Sequence, residues 1–303
     1  MLIRNSKAGK ARQLDAKLAA ILSKNDPAYL KNVVQAISIP RHYIAEKTNN
    51  QAIGTWIEQE FQRLGLQTFR QGEYGNIVAS SVANAAEARI LIGAHFDSVP
   101  KTPGADDNAS AVAGMLAVAK VLTASGNFPV TYVAFNREED GLLGSDDFVN
   151  NYLVPQQHKI QIVHILEMIG YCDTTPGSQK LPPGLPIKLS DVADFIGIIM
   201  NKTSNQYASR IRKTAEHYIT DLPVKTLEVF FGMEKFFPHL LRSDHSPFWT
   251  AHIPALMWTD TSEFRNPHYH QPSDTPDTLD YNFMKKVTDL LILHVINYLE
   301  NDK

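Results

Sequence analysis

The chain has 303 residues and a formal net charge of -3, and its 29 basic and 32 acidic residues are interspersed, which argues against nucleic acid as a partner. Its one cysteine, Cys172, excludes an internal disulfide and a metal site built from thiolates. The sequence has no run of about 18 apolar residues, so we expect no membrane-spanning helix and no membrane partner.

The N-terminal segment, residues 1–40, is predicted to be helical and to pack on the rest of the protein. Residues 12–38 have the apolar spacing of one or two amphipathic helices, with a break at Asn-Asp-Pro, residues 25–27. Residues 1–10 are polar and basic and lack the apolar run of a secretory signal. We therefore expect a cytoplasmic protein, or an exported one if a signal has been removed.

Helical and strand-like segments alternate from about residue 50 to the C-terminus, which predicts an α/β fold. The segments with strand character are 67–71, 76–80, 89–94, 130–135 and 160–166. Helices are predicted over 50–64, 108–122 and 282–299. No Gly/Ser-rich or single-sign charged linker divides this span, so we expect residues 1–303 to form a single domain.

Carboxylate and imidazole side chains stand where several of these strands end. Ligands gather outside the carboxyl ends of the strands in an open α/β sheet, so these side chains can meet in one crevice. A set rich in oxygen, with two histidines and no thiolate, favours a pair of divalent metal ions. The candidates are His95, Asp107, Glu138, Glu139, Glu167 and His270.

Two residues near these candidates, Asp106 and His268, are alternative ligands, and a third, Asp97, has a predicted supporting role. Asp107 is predicted to cap the helix over 108–122, and Asp106 competes with it as a ligand. His268 competes with His270 in the same Pro-rich loop. Asp97 is well placed to accept the second ring N–H of His95, which would fix the histidine tautomer.

Two later segments carry weaker predictions. Residues 172–190 contain four prolines and two glycines, which indicates a long surface excursion. Residues 226–242 contain four phenylalanines, which we expect to be either core residues or a wall of an apolar substrate pocket. Asp244 either lines the substrate cleft or caps a helix that begins near Pro247.

Six short motifs, in this order along the chain, resemble those of the co-catalytic zinc aminopeptidases, metallopeptidase family twenty-eight. The resemblance extends from about residue 50 to 295. It implies a three-layer α/β/α sandwich with a mixed, largely parallel central sheet. The motifs are His95–Val99, Gly104–Ser110, Glu138–Ser145, Leu166–Tyr171, Ser243–Trp249 and Tyr269–Thr275.

The resemblance also implies a ligand set for two Zn²⁺ ions, although Co²⁺ and Mn²⁺ accept similar donors. Asp107 would bridge the two ions. His95 and Glu167 would complete one site, and Glu139 and His270 would complete the other. Glu167 stands where many members of the family have aspartate, and its longer side chain would shift the metal ion that it holds.

Hydrolysis of the first peptide bond of a peptide with a free amino terminus is the activity that the resemblance implies. Glu138 would be the general base, with Asp97 assisting through His95. The residues expected to contact substrate are Asp244, His245 and Tyr269. The sequence sets no oligomeric state.

Three other activities are compatible with the same scaffold. A glutaminyl cyclase typically uses one zinc ion, and a tryptophan commonly precedes its metal histidine, whereas Tyr269 precedes His270 here. A non-catalytic binding protein of the transferrin-receptor type has lost metal ligands that this chain keeps. A carboxypeptidase or dipeptidase is a further possibility, because a sheet and a metal pair do not determine which end of a peptide is bound.

Overall fold

Nine strands in the described part of the chain form one mixed sheet. The computed structural model describes residues 1–7, 12–81 and 89–301. The strands are β1 (Leu2–Asn5), β2 (Gln67–Gln71), β3 (Asn76–Ser80), β4 (Ile90–His95), β5 (Val130–Phe135), β6 (Ile162–Glu167), β7 (Ile196–Met200), β8 (Val224–Glu228) and β9 (Ala255–Thr259). Their order across the sheet is β1-β8-β7-β9-β6-β4-β5-β3-β2.

The centre of the sheet is parallel and its edges are antiparallel. Strands β5, β4, β6 and β9 are parallel neighbours. Strand β7 pairs antiparallel with β9, and β1 pairs antiparallel with β8 at the edge. The predicted α/β fold with a mixed central sheet is confirmed. All five strands predicted from the sequence are present. The prediction of a helical segment over residues 1–40 is wrong at its beginning, because Leu2–Asn5 pairs with β8 as a strand.

Helices cover both faces of this sheet. They are α1 (Ala16–Leu22), α2 (Pro27–Ile37), α3 (Lys47–Arg63), α4 (Ala111–Thr123), α5 (Leu143–Asp147), α6 (Ala208–Tyr218), α7 (His245–Thr250) and α8 (Tyr281–Asn301). Asp15 and Asp26 cap α1 and α2 by accepting backbone N–H bonds from Leu18 and Ala28. None of the helices within the described residues combines the length and apolar character needed to cross a membrane.

Alternate side chains of the central strands contribute to two separate apolar cores. On β6, Ile162 and Leu166 pack with α2, α4 and α8, whereas Val163 and Ile165 pack against Phe248 on the opposite face. This alternation follows from the two-residue period of an extended strand. Two cores on either side of one sheet make the three layers of the sandwich.

The beginning of α4 differs from the sequence prediction. The regular helix begins at Ala111, whereas the prediction placed its first residue at Asn108. Residues Ala105–Ser110 form an irregular wide turn in which Asp107 has non-helical backbone angles. Gly104 begins this turn at a φ of 59°, and a Cβ there would lie 2.3 Å from the carbonyl oxygen of Asp107. The carboxylate of Asp107 therefore does not cap the helix.

Two buried histidines link the stability of the fold to pH. His164 on β6 and His294 on α8 have ring centroids 5.3 Å apart. Trp258 donates its indole N–H to Nδ1 of His164 at 3.1 Å. Burial lowers the pKa of His164 well below its ordinary value, and burial lowers the pKa of His294 to about 3. Both rings are therefore neutral in the folded protein at neutral pH.

We expect the protein to lose stability as the pH falls from 7 to 5. The unfolded chain binds a proton on each histidine near pH 6.5, whereas buried His294 stays neutral down to about pH 3. Its contribution is complete above pH 6.5 and falls by about 2 kcal/mol by pH 5. Urea unfolding of the wild type and of His294→Leu at both pH values measures this difference. Equal pH-dependent losses in the two proteins would contradict the expectation.

Candidate metal centre

The carboxyl ends of three neighbouring parallel strands bring the predicted ligands together. His95 ends β4, Glu167 ends β6, and Glu139 lies four residues after the end of β5. Asp107 reaches the same edge from the turn before α4, and His270 reaches it from the loop after β9. The convergence expected from the strand ends is therefore present in the structure.

The five side chains form two donor groups that share Asp107. In the first group, Nε2 of His95 lies 3.4 Å from Oδ1 of Asp107 and 3.6 Å from Oε2 of Glu167. In the second, Nε2 of His270 lies 3.1 Å from Oδ2 of Asp107 and 3.5 Å from Oε2 of Glu139. One carboxylate oxygen of Asp107 thus belongs to each group, which is the arrangement needed to bridge two cations.

The spacing of these donors suits zinc. With zinc–ligand bonds of about 2.0–2.2 Å, the edge of a tetrahedron between two ligand atoms is about 3.3–3.6 Å. The buried Nε2 of His95 and Oε1 of Glu139 make no hydrogen bond to any described residue. Buried polar atoms are normally satisfied, so these two atoms call for a ligand. The donor set therefore fits one divalent ion in each group.

The electrostatics of the cluster favour added positive charge. Burial, followed by repulsion from nearby carboxylates, raises the pKa of Glu138 well above its ordinary value. Burial and the charge of Asp107 raise the pKa of Glu139 to about 7. Burial also opposes ionisation of Asp107, yet the adjacent imidazoles of His270 and His95 lower its pKa below the ordinary value. A divalent cation would relieve this crowding of negative groups.

Asp97 contacts the ligands His95 and Glu139 and also Glu138. Its carboxylate oxygens accept the backbone N–H groups of Glu138 at 3.1 Å and Glu139 at 3.2 Å. Oδ1 of Asp97 also lies 3.4 Å from Nδ1 of His95. The fully buried side chain thus connects the end of β4 to the loop after β5. This placement agrees with the supporting position that the sequence suggested, and its catalytic contribution remains a prediction.

The carboxylates of Asp106 and Asp107 have different surroundings. Asp106 accepts the N–H of Gly170 at 2.9 Å and the side-chain amide of Asn266 at 2.7 Å, so it connects two loops behind the site. Asp274 accepts the backbone N–H groups of both Asp106 and Asp107, at 2.9 and 3.1 Å. Asp274 therefore holds the bridging residue in place. The sequence alone indicated no role for it, although it lies within the motif Tyr269–Thr275.

Two further residues stabilise the site, and the sequence analysis did not identify either of them. Ser243 donates its hydroxyl to Oε2 of Glu167 at 2.7 Å, which orients that ligand. The guanidinium of Arg41, fully buried, donates to the carbonyl oxygens of Phe96 at 2.5 Å and Gly104 at 2.8 Å. Arg41 lies outside every motif, and only its distant partners reveal its importance.

Glu138 and Tyr269 face the open side of the centre. Both line a cavity of about 510 Å³ that begins at the ligands. Oε2 of Glu138 lies 3.9 Å from Nε2 of His95. The ring of Tyr269 stacks on His270 with 3.7 Å between centroids, and its hydroxyl oxygen accepts a hydrogen bond from Arg242 at 2.8 Å. The competing His268 instead contacts the hydroxyl of Ser273 at 2.9 Å, away from the donor groups.

Asp244 and His245 are buried behind the centre and do not line the cavity. Nε2 of His245 donates to the carbonyl oxygen of Leu240 at 2.8 Å, and burial lowers its pKa to about 4. Asp244 precedes α7, but its side chain makes no capping hydrogen bond. Burial raises the pKa of Asp244 to about 7. Their roles as substrate contacts remain predictions.

The walls of the cavity differ from the sequence predictions for residues 172–190 and 226–242. The excursion of residues 172–190 contributes Pro182, Leu185 and Ile187, so it forms part of the cavity wall. The phenylalanines of residues 226–242 do not line the cavity. Phe231 is 92% exposed and Phe236 is 78% exposed, so neither the core nor the pocket interpretation holds for these two.

Sequence comparison relates the chain to known peptidases. The model of Peptidase family M28 matches residues 76–295. The uncharacterized protein YfbL of Escherichia coli (strain K12) is 37% identical over 237 residues, which cover 75% of this chain and 72% of YfbL. Aminopeptidase YwaD of Bacillus subtilis (strain 168) is 26% identical over 218 residues, which cover 71% of this chain but only 42% of YwaD.

Structural comparison supports the same fold. The LapA aminopeptidase of Legionella pneumophila superimposes with a TM-score of 0.74 at 20% identity, covering 96% of this chain and 75% of LapA. The glutaminyl cyclase of Porphyromonas gingivalis superimposes with a TM-score of 0.63 at 20% identity, covering 91% of this chain and 99% of that protein. At this level of identity the similarities establish the fold, and the chemistry has to be argued from the site.

Proposed function

The chain belongs to peptidase family M28, and from this membership we propose that it is a metal-dependent aminopeptidase that hydrolyses the N-terminal residue of peptides. The observation that carries the proposal is the pair of donor groups sharing Asp107, with Glu138 beside them at the start of the cavity. Peptides with a free amino terminus are the proposed substrates.

We assign two Zn²⁺ ions to the two groups, with Co²⁺ or Mn²⁺ as substitutes that accept the same donors. His95, Asp107 and Glu167 would hold one ion, and Asp107, Glu139 and His270 would hold the other. When bound, such ions supply a lowered water pKa and polarisation of a carbonyl group. Side chains of the protein would carry out the remaining steps of the reaction.

Glu138 is proposed to move the proton. Its carboxylate would accept a proton from the attacking water and return it to the amine that leaves. The bonds from the backbone N–H groups of Glu138 and Glu139 to Asp97 keep this part of the loop in place. Because Arg242 already donates to the hydroxyl oxygen of Tyr269, the phenolic hydrogen is free to be donated to a substrate carbonyl.

Incubation of zinc-loaded protein with two unblocked peptides tests this proposal. One peptide begins with leucine and the other with glutamine, and the products are identified by mass spectrometry. We expect loss of a complete N-terminal residue from the leucine peptide.

Each contrary product identifies a different activity. Loss of ammonia from the glutamine peptide alone would indicate a glutaminyl cyclase. Release of residues from the C-terminus would indicate a carboxypeptidase, and cleavage restricted to dipeptides would indicate a dipeptidase. No change in any peptide would favour a non-catalytic binding protein.

A cytoplasmic location remains a prediction.

A further inference from the structure

The cavity at the metal centre extends across the sheet, well beyond the ligands. Strand register aligns four residues from β6, β9, β7 and β8 in one row, namely Glu167, Thr259, Gly197 and Lys225. All four line the cavity. With neighbouring strands about 4.8 Å apart, the row runs about 14 Å from Glu167 to Lys225. A leucine side chain beginning at the metal centre would occupy only the first part of this length.

A second row, two residues away on the same sheet face, makes the floor apolar. It consists of Met257, Ile199, Leu227 and Ile3, which are direct neighbours in the register. Leu185 and Ile187 from the excursion of residues 172–190 cover this floor. We name the part of the cavity over β7, β8 and β1 the distal compartment. Aliphatic side chains make up most of its walls.

Gly197 provides the passage between the metal centre and the distal compartment. It lies in the first row between Thr259 and Lys225, and it has no side chain to fill the floor. A Cβ at this position would lie 3.2 Å from the carbonyl oxygen of Thr259 and 3.8 Å from the side chains of Thr259 and Thr261. A branched side chain here would therefore stand in the cavity at its middle.

The far end of the distal compartment is closed by the N-terminal strand. Ile3 on β1 pairs with Leu227 and packs in the same apolar cluster as Leu185 and Ile187. Its neighbour Leu2 points to the other face of the sheet and is 38% exposed. Lys225 lines the cavity, while its ammonium group lies 3.5 Å from Oδ1 of Asn5 and 4.8 Å from the centre of the Phe195 ring. The lysine thus contributes its aliphatic stem to the wall.

The chemistry of these walls indicates what occupies the compartment. A peptide main chain would bury N–H and C=O groups against aliphatic side chains that cannot bond them, which is costly. A long apolar side chain carries no such groups and gains from burial. We propose that the distal compartment receives the side chain of the residue to be removed, so that the protein prefers N-terminal residues with long apolar side chains. This inference rests on the proposed aminopeptidase function.

A series of aminoacyl coumarin amides tests the inference on the zinc-loaded full chain. The amino acids carry straight side chains of three, four, six and eight carbon atoms. We expect kcat/KM to rise with chain length, by up to about fourfold for each methylene, because a buried CH₂ contributes about 0.8 kcal/mol. Hydrolysis that does not increase beyond four carbons would overturn this inference and leave the aminopeptidase proposal intact. Failure to hydrolyse any member, including a leucyl amide, would overturn the aminopeptidase proposal itself.

Variants in the passage and at the far end of the distal compartment make the test specific. Gly197→Val should lower the ratio of kcat/KM for the eight-carbon and three-carbon substrates at least tenfold. Ile3→Trp should lower the same ratio from the far end, while the matched control Leu2→Trp on the opposite face should leave it unchanged. Equal losses on all substrates, or an effect only on the length of peptide after the cleaved bond, would overturn the inference. Thermal unfolding of each variant confirms that it is folded.

Discussion

Replacing Glu138 with glutamine is expected to lower kcat by about 10²–10⁴-fold while both metal ions stay bound. The amide has the shape of the carboxylate but cannot accept a proton from water. The backbone N–H of residue 138 can still donate to Asp97, so the loop after β5 should keep its conformation. Steady-state kinetics on a leucyl substrate and metal analysis of the purified variant measure the two effects.

The adjacent glutamate offers a matched control for this experiment. Glu139 is one residue further along the chain, and its carboxylate lies 3.5 Å from His270 within the second donor group. Glu139→Gln should therefore weaken metal binding, whereas Glu138→Gln should not. If Glu138→Gln retained full activity, or if it lost metal as Glu139→Gln does, the assignment of Glu138 as the base would be wrong.

Replacing His270 with alanine is expected to reduce the bound zinc from two ions to one and to lower kcat/KM by at least about 10²-fold. The variant removes the one nitrogen donor of the second group, leaving Asp107 and Glu139 alone. A two-metal site works by orienting substrate and stabilising charge from both sides, so loss of one ion removes much of the rate enhancement. Metal analysis after dialysis and kinetics at a fixed zinc concentration provide the readouts.

His268→Ala is the control for the His270 variant. The two histidines lie in the same loop and are two residues apart, but His268 contacts Ser273 and not the donor groups. We expect His268→Ala to keep both ions and to retain activity within a few fold. The assignment of the second group would fail if the two alanine variants bound zinc equally well.

Several ligands were predictable because they follow from local pattern and one general rule. The apolar runs before His95 and Glu167 predict strands, and the parallel arrangement of β4, β5 and β6 places their carboxyl ends at one edge. Strand ends are set by short-range sequence features, so residues at these ends can be predicted from the chain alone. The resemblance to family twenty-eight then added which carboxylate pairs with which histidine.

Other features depend on contacts between residues far apart in the chain. Asp106 and Asp107 are equivalent as sequence, and their surroundings differ because the carboxylate of Asp106 accepts bonds from Gly170 and Asn266, whereas that of Asp107 lies beside His95 and His270. Asp274, more than 160 residues later, accepts the backbone N–H groups of both. The same N–H bonds help to keep the turn before α4 out of helical geometry, so the helix begins at Ala111. Local propensity could not reveal this, because aspartate is equally good as a helix cap.

The sequence by itself determined the α/β fold, the central strands β4, β5 and β6 and the residue types of the candidate metal centre, because all three follow from apolar periodicity and residue chemistry over short distances. Only the tertiary structure decided the shape of the cavity beside the metal centre. Its floor requires the register of five neighbouring strands, in the order β1, β8, β7, β9 and β6. Its cover requires the Pro-rich excursion of residues 172–190 to fold back over them. Ile3 and Gly197 gain their importance from this register, which is a property of strand pairing and not of any local segment.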